Sequence, residues 1–185
     1  MGNKILLAIF FIAALTIIPQ KAYSQEKASA SSADIKTFQS VTESSDYRVK
    51  ILKKYLLKQH SPLAKNAQDF IYYADEYNLD WRLVAAIAGV ESTFGKSIPP
   101  SSYNGWGWGV YGDNVIRFSS WKEGIQTVSA GLRQRYMDKW GGQNIYQIGS
   151  MYASSPVWAS HVLYYLNDIQ KFALNDPKDS LSLTL

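Results

Sequence analysis

The sequence predicts a mostly α, single-domain fold with a cleft. Apolar residues recur at helical spacing in successive segments between Asp46 and Phe172. Capping residues and Gly or Pro breaks separate those segments, and no stretch of any length alternates with the period of a strand. Internal repeats and a phosphate-binding glycine loop are both absent.

Taken in order, the first helix starts near Asp46, with Tyr47, Val49, Ile51, Leu52, Tyr55 and Leu56 among lysines, and reaches about Gln59. Ser61-Pro62 is an N-cap followed by Pro at the first helical position. It opens a second helix to about Tyr77, with Leu63, Ala67, Phe70, Ile71 and Ala74 on one face. Asn78-Leu79 turns into a third helix capped by Asp80. Tyr111 to Phe118 reads as irregular, with a strand-like piece. Ser120-Trp-Lys-Glu123 is a capping box whose helix extends to about Trp140, where Gly141-Gly142 stops it. Asn144 to Tyr152 forms a short helix, and Ser155-Pro156 caps the last one, ending near Phe172.

The 185 residues suffice for one domain, expected at 46–174, with a core of its own. The absence of cysteine excludes a disulfide framework, a thiolate metal site, a Cys nucleophile and a diacylated lipoprotein N-terminus. His60 and His161 stand outside any metal-spaced motif and read as helix-surface or helix-end residues, so no metal and no cofactor are expected. Residues 1–24 have the character of a signal peptide: Lys4, an uncharged apolar run from Ile5 to Ile18, Pro19, and a small-x-small site at Ala22-Tyr-Ser24. An uncleaved N-terminal anchor is the alternative. Either way the body is expected outside the cytoplasmic membrane, secreted or periplasmic, and after cleavage no stable membrane insertion is expected. Residues 25–45 are Ser-, Ala- and Thr-rich and read as a flexible linker, and 175–185 as a loose tail. Without Lys4 and Lys21 the chain is nearly balanced in charge, and no basic patch interleaved with aromatics argues for nucleic acid.

The stretch from Asp80 to Gly112 carries the chemistry. Leu83 to Val90 is apolar on most sides, which marks a buried helix. Val84, Ile87, Ala88 and Glu91 share one stripe, so a carboxylate ends an apolar face. Desolvation and the negative end of the helix dipole both favour a proton on that carboxylate, as a general acid requires. The ordinary alternative is a solvated Glu91, or one paired with Lys96. Beyond the helix, Gly105-Trp-Gly-Trp-Gly alternates small residues with indoles, allowing close backbone approach beside flat rings on which sugar C–H faces stack. Trp106 and Trp108, with Tyr103 and Tyr111 flanking them, are candidate substrate contacts; ordinary hydrophobic filling is the competing role for the two indoles.

Ala88-Gly-Val-Glu91-Ser-Thr-Phe-Gly-Lys96 resembles the acid-bearing helix end of the lysozyme-like superfamily. Tyr103-Asn-Gly-Trp-Gly-Trp-Gly and Phe118-Ser-Ser-Trp-Lys-Glu-Gly-Ile125 are similar to the bacterial glucosaminidase branch, glycoside hydrolase family 73, and Tyr152-Ala-Ser-Ser-Pro-Val-Trp-Ala159 looks like that branch's Tyr-Ala-Thr-Asp-Pro-x-Tyr-Ala segment. The resemblance covers roughly residues 65–172, and lytic transglycosylases share its Glu-Ser helix and cleft tyrosine. It implies a lysozyme-like monomer that cleaves the β-1,4 backbone of peptidoglycan glycan strands, first as an N-acetylglucosaminidase, with a lytic transglycosylase giving 1,6-anhydromuramyl ends as the alternative. A non-catalytic cell-wall-binding domain is the rival from another class. Under the resemblance Glu91 is the acid and Tyr152 lines the site opposite it, its hydroxyl placed to position an acetamido group; a core aromatic is its ordinary role. A second carboxylate is missing from the pattern. Between Glu91 and Glu123 only Asp113 is available, as a base or as a turn residue, and Glu123 is better explained as a capping partner. Asp113 as base, substrate assistance by the acetamido group, and transglycosylation all remain open.

Overall fold

The computed structural model describes residues 46–109 and 114–176, all belonging to one unit. The expected signal peptide, the linker and the tail beyond Asp176 lie outside the described residues, as do Tyr111 and Asp113.

The described residues are helical without strands, as the periodicity predicts. Helix α1 spans Tyr47–Lys58; Asp46 caps it by accepting from the Arg48 amide, and Val49, Ile51, Leu52, Tyr55 and Leu56 are buried. Ser61 accepts from the Leu63 amide, but the turn it opens, Pro62–Asn66, is a 3₁₀ helix, and the α-helix α2 begins only at Ala67 and ends at Glu76. A 3₁₀ turn winds more tightly. It still buries Leu63 and Ala64, so the apolar spacing does not register the change.

Helix α3, Leu83–Ser92, is buried from Leu83 through Gly89. Asp80 does not cap it directly. Its carboxylate accepts from the Arg82 amide and its carbonyl from Leu83, closing a turn that feeds the helix two residues later than the sequence suggests. Helices α2 and α4 (Trp121–Gly131) both pack on α3, and α6 (Trp158–Asn175) packs on it most extensively. Gly89 permits that approach: a Cβ there would lie 2.8 Å from the Phe94 ring and 3.0 Å from Tyr165 of α6.

Ser120 caps α4 by accepting from the Glu123 amide. The Glu123 carboxylate returns to Ser119 rather than Ser120, accepting from its amide at 2.6 Å and its hydroxyl at 2.5 Å. After Gly131 the chain continues as a π-helical stretch, Leu132–Lys139, where the sequence predicts uninterrupted α-helix. The longer turn keeps Leu132 buried and Tyr136 half-buried, so the inward positions survive the change of winding. Asn144 caps α5, Ile145–Tyr152, accepting from the Tyr146 and Gln147 amides. α6 starts at Trp158, later than Ser155-Pro156 suggests, with the Ser155 carbonyl accepting from the Trp158 amide. It also outlasts the predicted end: Asn175 is helical and Asp176 pairs with Lys54 at 2.9 Å, so the first two residues of the expected tail are held. Asn114 forms an isolated bridge and Val115 to Phe118 is irregular, pinned by the Phe118 amide donating to the Ser102 carbonyl at 2.8 Å.

One buried hydroxyl joins the turn before α2 to the turn after α3. Ser61 donates to the Phe94 carbonyl at 2.7 Å while capping Leu63. Ser61→Ala removes both bonds and leaves a buried carbonyl unpaired, so it should cost about 1–2 kcal/mol in chemical denaturation with an unchanged m-value.

Candidate functional site

The site forms where α3 stops. Thr93, Phe94 and Gly95 follow Ser92 with φ of 53°, 60° and 82°, a left-handed run that turns the chain sharply away from the helix axis. For Thr and Phe that backbone is strained. Burial of the Phe94 ring, edge-on to Tyr55 at 5.6 Å and Tyr165 at 5.0 Å, holds it in place. The Phe94 amide donates to Ala88 and the Ser97 amide to Ser92, closing the helix end. The Ser92 hydroxyl accepts from the Gly95 amide at 2.8 Å and donates to the Gly105 carbonyl at 2.7 Å. The same residue therefore ends the helix and fastens the Gly/Trp loop to it.

Asn104 shapes that loop from within. Only 3% exposed, its amide donates to the Trp108 carbonyl at 2.9 Å and the Ile116 carbonyl at 3.0 Å, and its oxygen accepts from the Trp108 amide at 3.0 Å. The two indoles that follow part company. Trp106 is fully buried, donates to the Val84 carbonyl at 2.9 Å, and lies over Gly124 of α4, where a Cβ would sit 2.6 Å from its ring. The expectation that Trp106 contacts a ligand is corrected: it fills the core and has no surface to offer. Trp108 is half-buried; its ring lies over Gly131, seven residues further along α4, and adjoins Tyr136 at 5.9 Å and Tyr152 at 6.0 Å. Tyr103 is 38% exposed and meets Trp121 edge-on at 5.5 Å, a ring that also adjoins Trp106. Tyr111 lies outside the described residues.

Glu91, the penultimate residue of α3, is half-buried. Its Oε1 accepts from the Trp158 indole N–H at 2.6 Å, and its Oε2 faces Gly107. Burial raises its pKa above the ordinary carboxylate range, opposed by the Trp158 hydrogen bond. Lys96 is not its partner; the ammonium donates to the Gln59 carbonyl at 2.9 Å. Tyr152 stacks on Trp158 at 4.8 Å and 22°, and its hydroxyl donates to the Trp106 carbonyl at 2.8 Å. Burial, then the charge of Glu91, then Tyr136 push its phenol well above the ordinary range, so it stays neutral. The structure thus brings Glu91, Tyr152 and Trp108 into one neighbourhood and ties the Tyr152 proton to backbone. Asp113 lies outside the described residues. Glu123 is exposed and its pKa is lowered by its bonds to Ser119, which leaves it a capping group.

Comparison with protein-family models and with curated proteins finds no match. The site therefore has to be read from its own chemistry. That chemistry is a desolvated acid with a neutral N–H donor, beside a neutral phenol and a half-exposed indole. Among the described residues no group of three His, Asp or Glu side chains could hold a metal ion.

Three contributors escaped sequence reasoning: Trp158, Ser92 in its second bond, and Asn104. Trp158 stood in the segment with the expected Tyr152, but nothing local shows that α6 will place its indole against α3. Asn104→Ala takes a side-chain partner from the Trp106 and Trp108 amides and from the Trp108 and Ile116 carbonyls, and should cost about 2–4 kcal/mol and speed exchange of the Trp108 amide. For Glu91 the sign follows from a pKa raised on folding. The native state binds more protons, and stability is lost as pH rises through the folded value. Glu91→Gln should therefore match the parent in acid and become the more stable protein toward neutral pH, as paired denaturation curves at several pH values would reveal.

Proposed function

We propose that this chain is a lysozyme-like enzyme that cleaves the β-1,4 glycan backbone of peptidoglycan outside the cytoplasmic membrane, with Glu91 as general acid. The observation that carries the reading is the state of Glu91. It is a half-buried carboxyl at the end of a buried helix, with a raised pKa, hydrogen-bonded to a neutral indole and with no cation paired to it among the described residues. A structural carboxylate gains from a cation; an acid that must hold a proton near neutrality does not. The half-exposed Trp108 indole and Tyr152 beside it suit the faces and the acetamido group of an N-acetyl sugar. The Tyr152 oxygen, having donated to Trp106, keeps lone pairs that can accept an amide N–H.

In the reaction the Glu91 proton passes to the glycosidic oxygen as the C1–O bond breaks, and the bonding pair stays with the leaving oxygen. Positive charge gathers at C1 and the ring oxygen. Water then adds at C1 and gives up a proton to the Glu91 carboxylate, which restores the acid and makes the chain an N-acetylglucosaminidase. In the second reading the 6-hydroxyl of the same muramyl residue adds instead, returns its proton to Glu91, and gives a 1,6-anhydro end. The fixed role of Glu123 removes it as a second catalytic carboxylate, since it is committed to Ser119.

Purified peptidoglycan digested with the chain and with Glu91→Gln, followed by mass spectrometry of soluble fragments, tests the proposal. Reducing N-acetylglucosamine ends from the parent and none from the variant are expected; anhydromuramyl ends would select the transglycosylase. Wall binding without release by the parent would return the chain to the binding-domain reading. Because the acid works protonated, the rate should fall as pH rises through the raised Glu91 pKa.

A further inference from the structure

We propose that Gly107 is the approach to the acid: the substrate's glycosidic oxygen reaches Glu91 Oε2 across the face of Gly107, and Trp158 is the positioning residue that turns Oε2 toward it. The inference rests on the proposed glycan cleavage and adds to it the side of attack and the oxygen that delivers the proton.

The two oxygens of Glu91 have unlike surroundings. Oε1 accepts from the Trp158 indole N–H at 2.6 Å. In the neutral acid the oxygen facing a donor is the carbonyl oxygen, so the proton belongs on Oε2. Oε2 points at Gly107, which is exposed and has φ of 60°. A Cβ at Gly107 would lie 3.0 Å from Oε2 and 3.7 Å from the carboxyl carbon. That separation falls at the outer edge of an O–H···O hydrogen bond. A side chain at 107 would therefore stand where the acceptor of the acid's proton has to stand. Trp108, half-buried, is the next residue along, so a sugar whose bridging oxygen lies over Gly107 has an indole beside it. Glycine at 107 thus does more than permit the turn. Trp158 in its turn is 3% exposed and stacked on Tyr152, which leaves its N–H little freedom to point elsewhere.

The chain supplies its own control for backbone strain. Gly141 has φ of 74° and nothing within 4 Å of the position its Cβ would take, so Gly141→Ala carries a left-handed alanine with no blocked neighbour. Gly107→Ala carries comparable strain and also places a methyl group against Oε2. Peptidoglycan digestion should fall on the order of a hundredfold in Gly107→Ala, with wall binding retained, while Gly141→Ala stays within about twofold of the parent. Equal cleavage by the two alanine variants, with an active parent, overturns the inference and leaves the proposed function standing. A parent that cleaves no glycan overturns both. Trp158→Phe supplies a readout that a packing role alone would not move. Losing the N–H donated to the charged carboxylate raises the Glu91 pKa further, so the basic limb of the pH–rate profile should shift to higher pH. An unmoved limb overturns the role given to Trp158.

Discussion

The Ser92 hydroxyl is the interaction on which the rest of the site depends. It accepts from Gly95 and donates to Gly105, joining the helix that carries the acid to the loop that carries the indoles. The contacts made through the loop build on that junction, and one more fastens the acid to α6 directly. Trp106 reaches back from the loop to α3, Tyr152 reaches from α5 to the Trp106 carbonyl, and Trp158 reaches from α6 to the acid. The residue after a catalytic candidate is thus structural in the strict sense: it sets where the loop stands relative to the carboxylate. A buried hydroxyl suits this task because it donates and accepts at once within the space of one oxygen.

Much of the fold was legible because caps and apolar stripes act locally. Asp46, Ser61, Ser120 and Asn144 all cap the segments they introduce, since each needs only an amide two or three residues away. The type of winding was not legible. The 3₁₀ turn at Pro62 and the π stretch from Leu132 bury the same residues that an α-helix would, so the hydrophobic pattern cannot tell them apart. Within the site, Glu91 was visible as a carboxylate ending an apolar stripe. Which of Trp106 and Trp108 would be sealed off was not, because it is decided by two glycines of α4 lying more than a dozen residues away. Trp158 was hidden for the same reason, its partner lying across a helix–helix contact that no local pattern records.

Tyr152 is held on two sides, by a ring and by a backbone carbonyl. It stacks on Trp158, the partner of Glu91, and its proton goes to the Trp106 carbonyl. The phenol is a brace between α5 and the loop first, and a ligand contact only through the lone pairs it has left. Its neutrality follows from burial and from the nearby acid, so both roles survive across ordinary pH.

The seating of the two loop indoles on Gly124 and Gly131 has a consequence for how the domain assembles. A glycine inside a helix weakens it by about 1 kcal/mol relative to alanine, and α4 holds one in its interior and one at its last turn. Detached from the loop, this segment is a poor helix; with the rings laid on it, the bare backbone becomes a docking surface. Winding of α4 and closure of the Gly/Trp loop are therefore one cooperative event rather than two. The protein then has no stage at which its scaffold is finished and its Gly/Trp loop still unplaced.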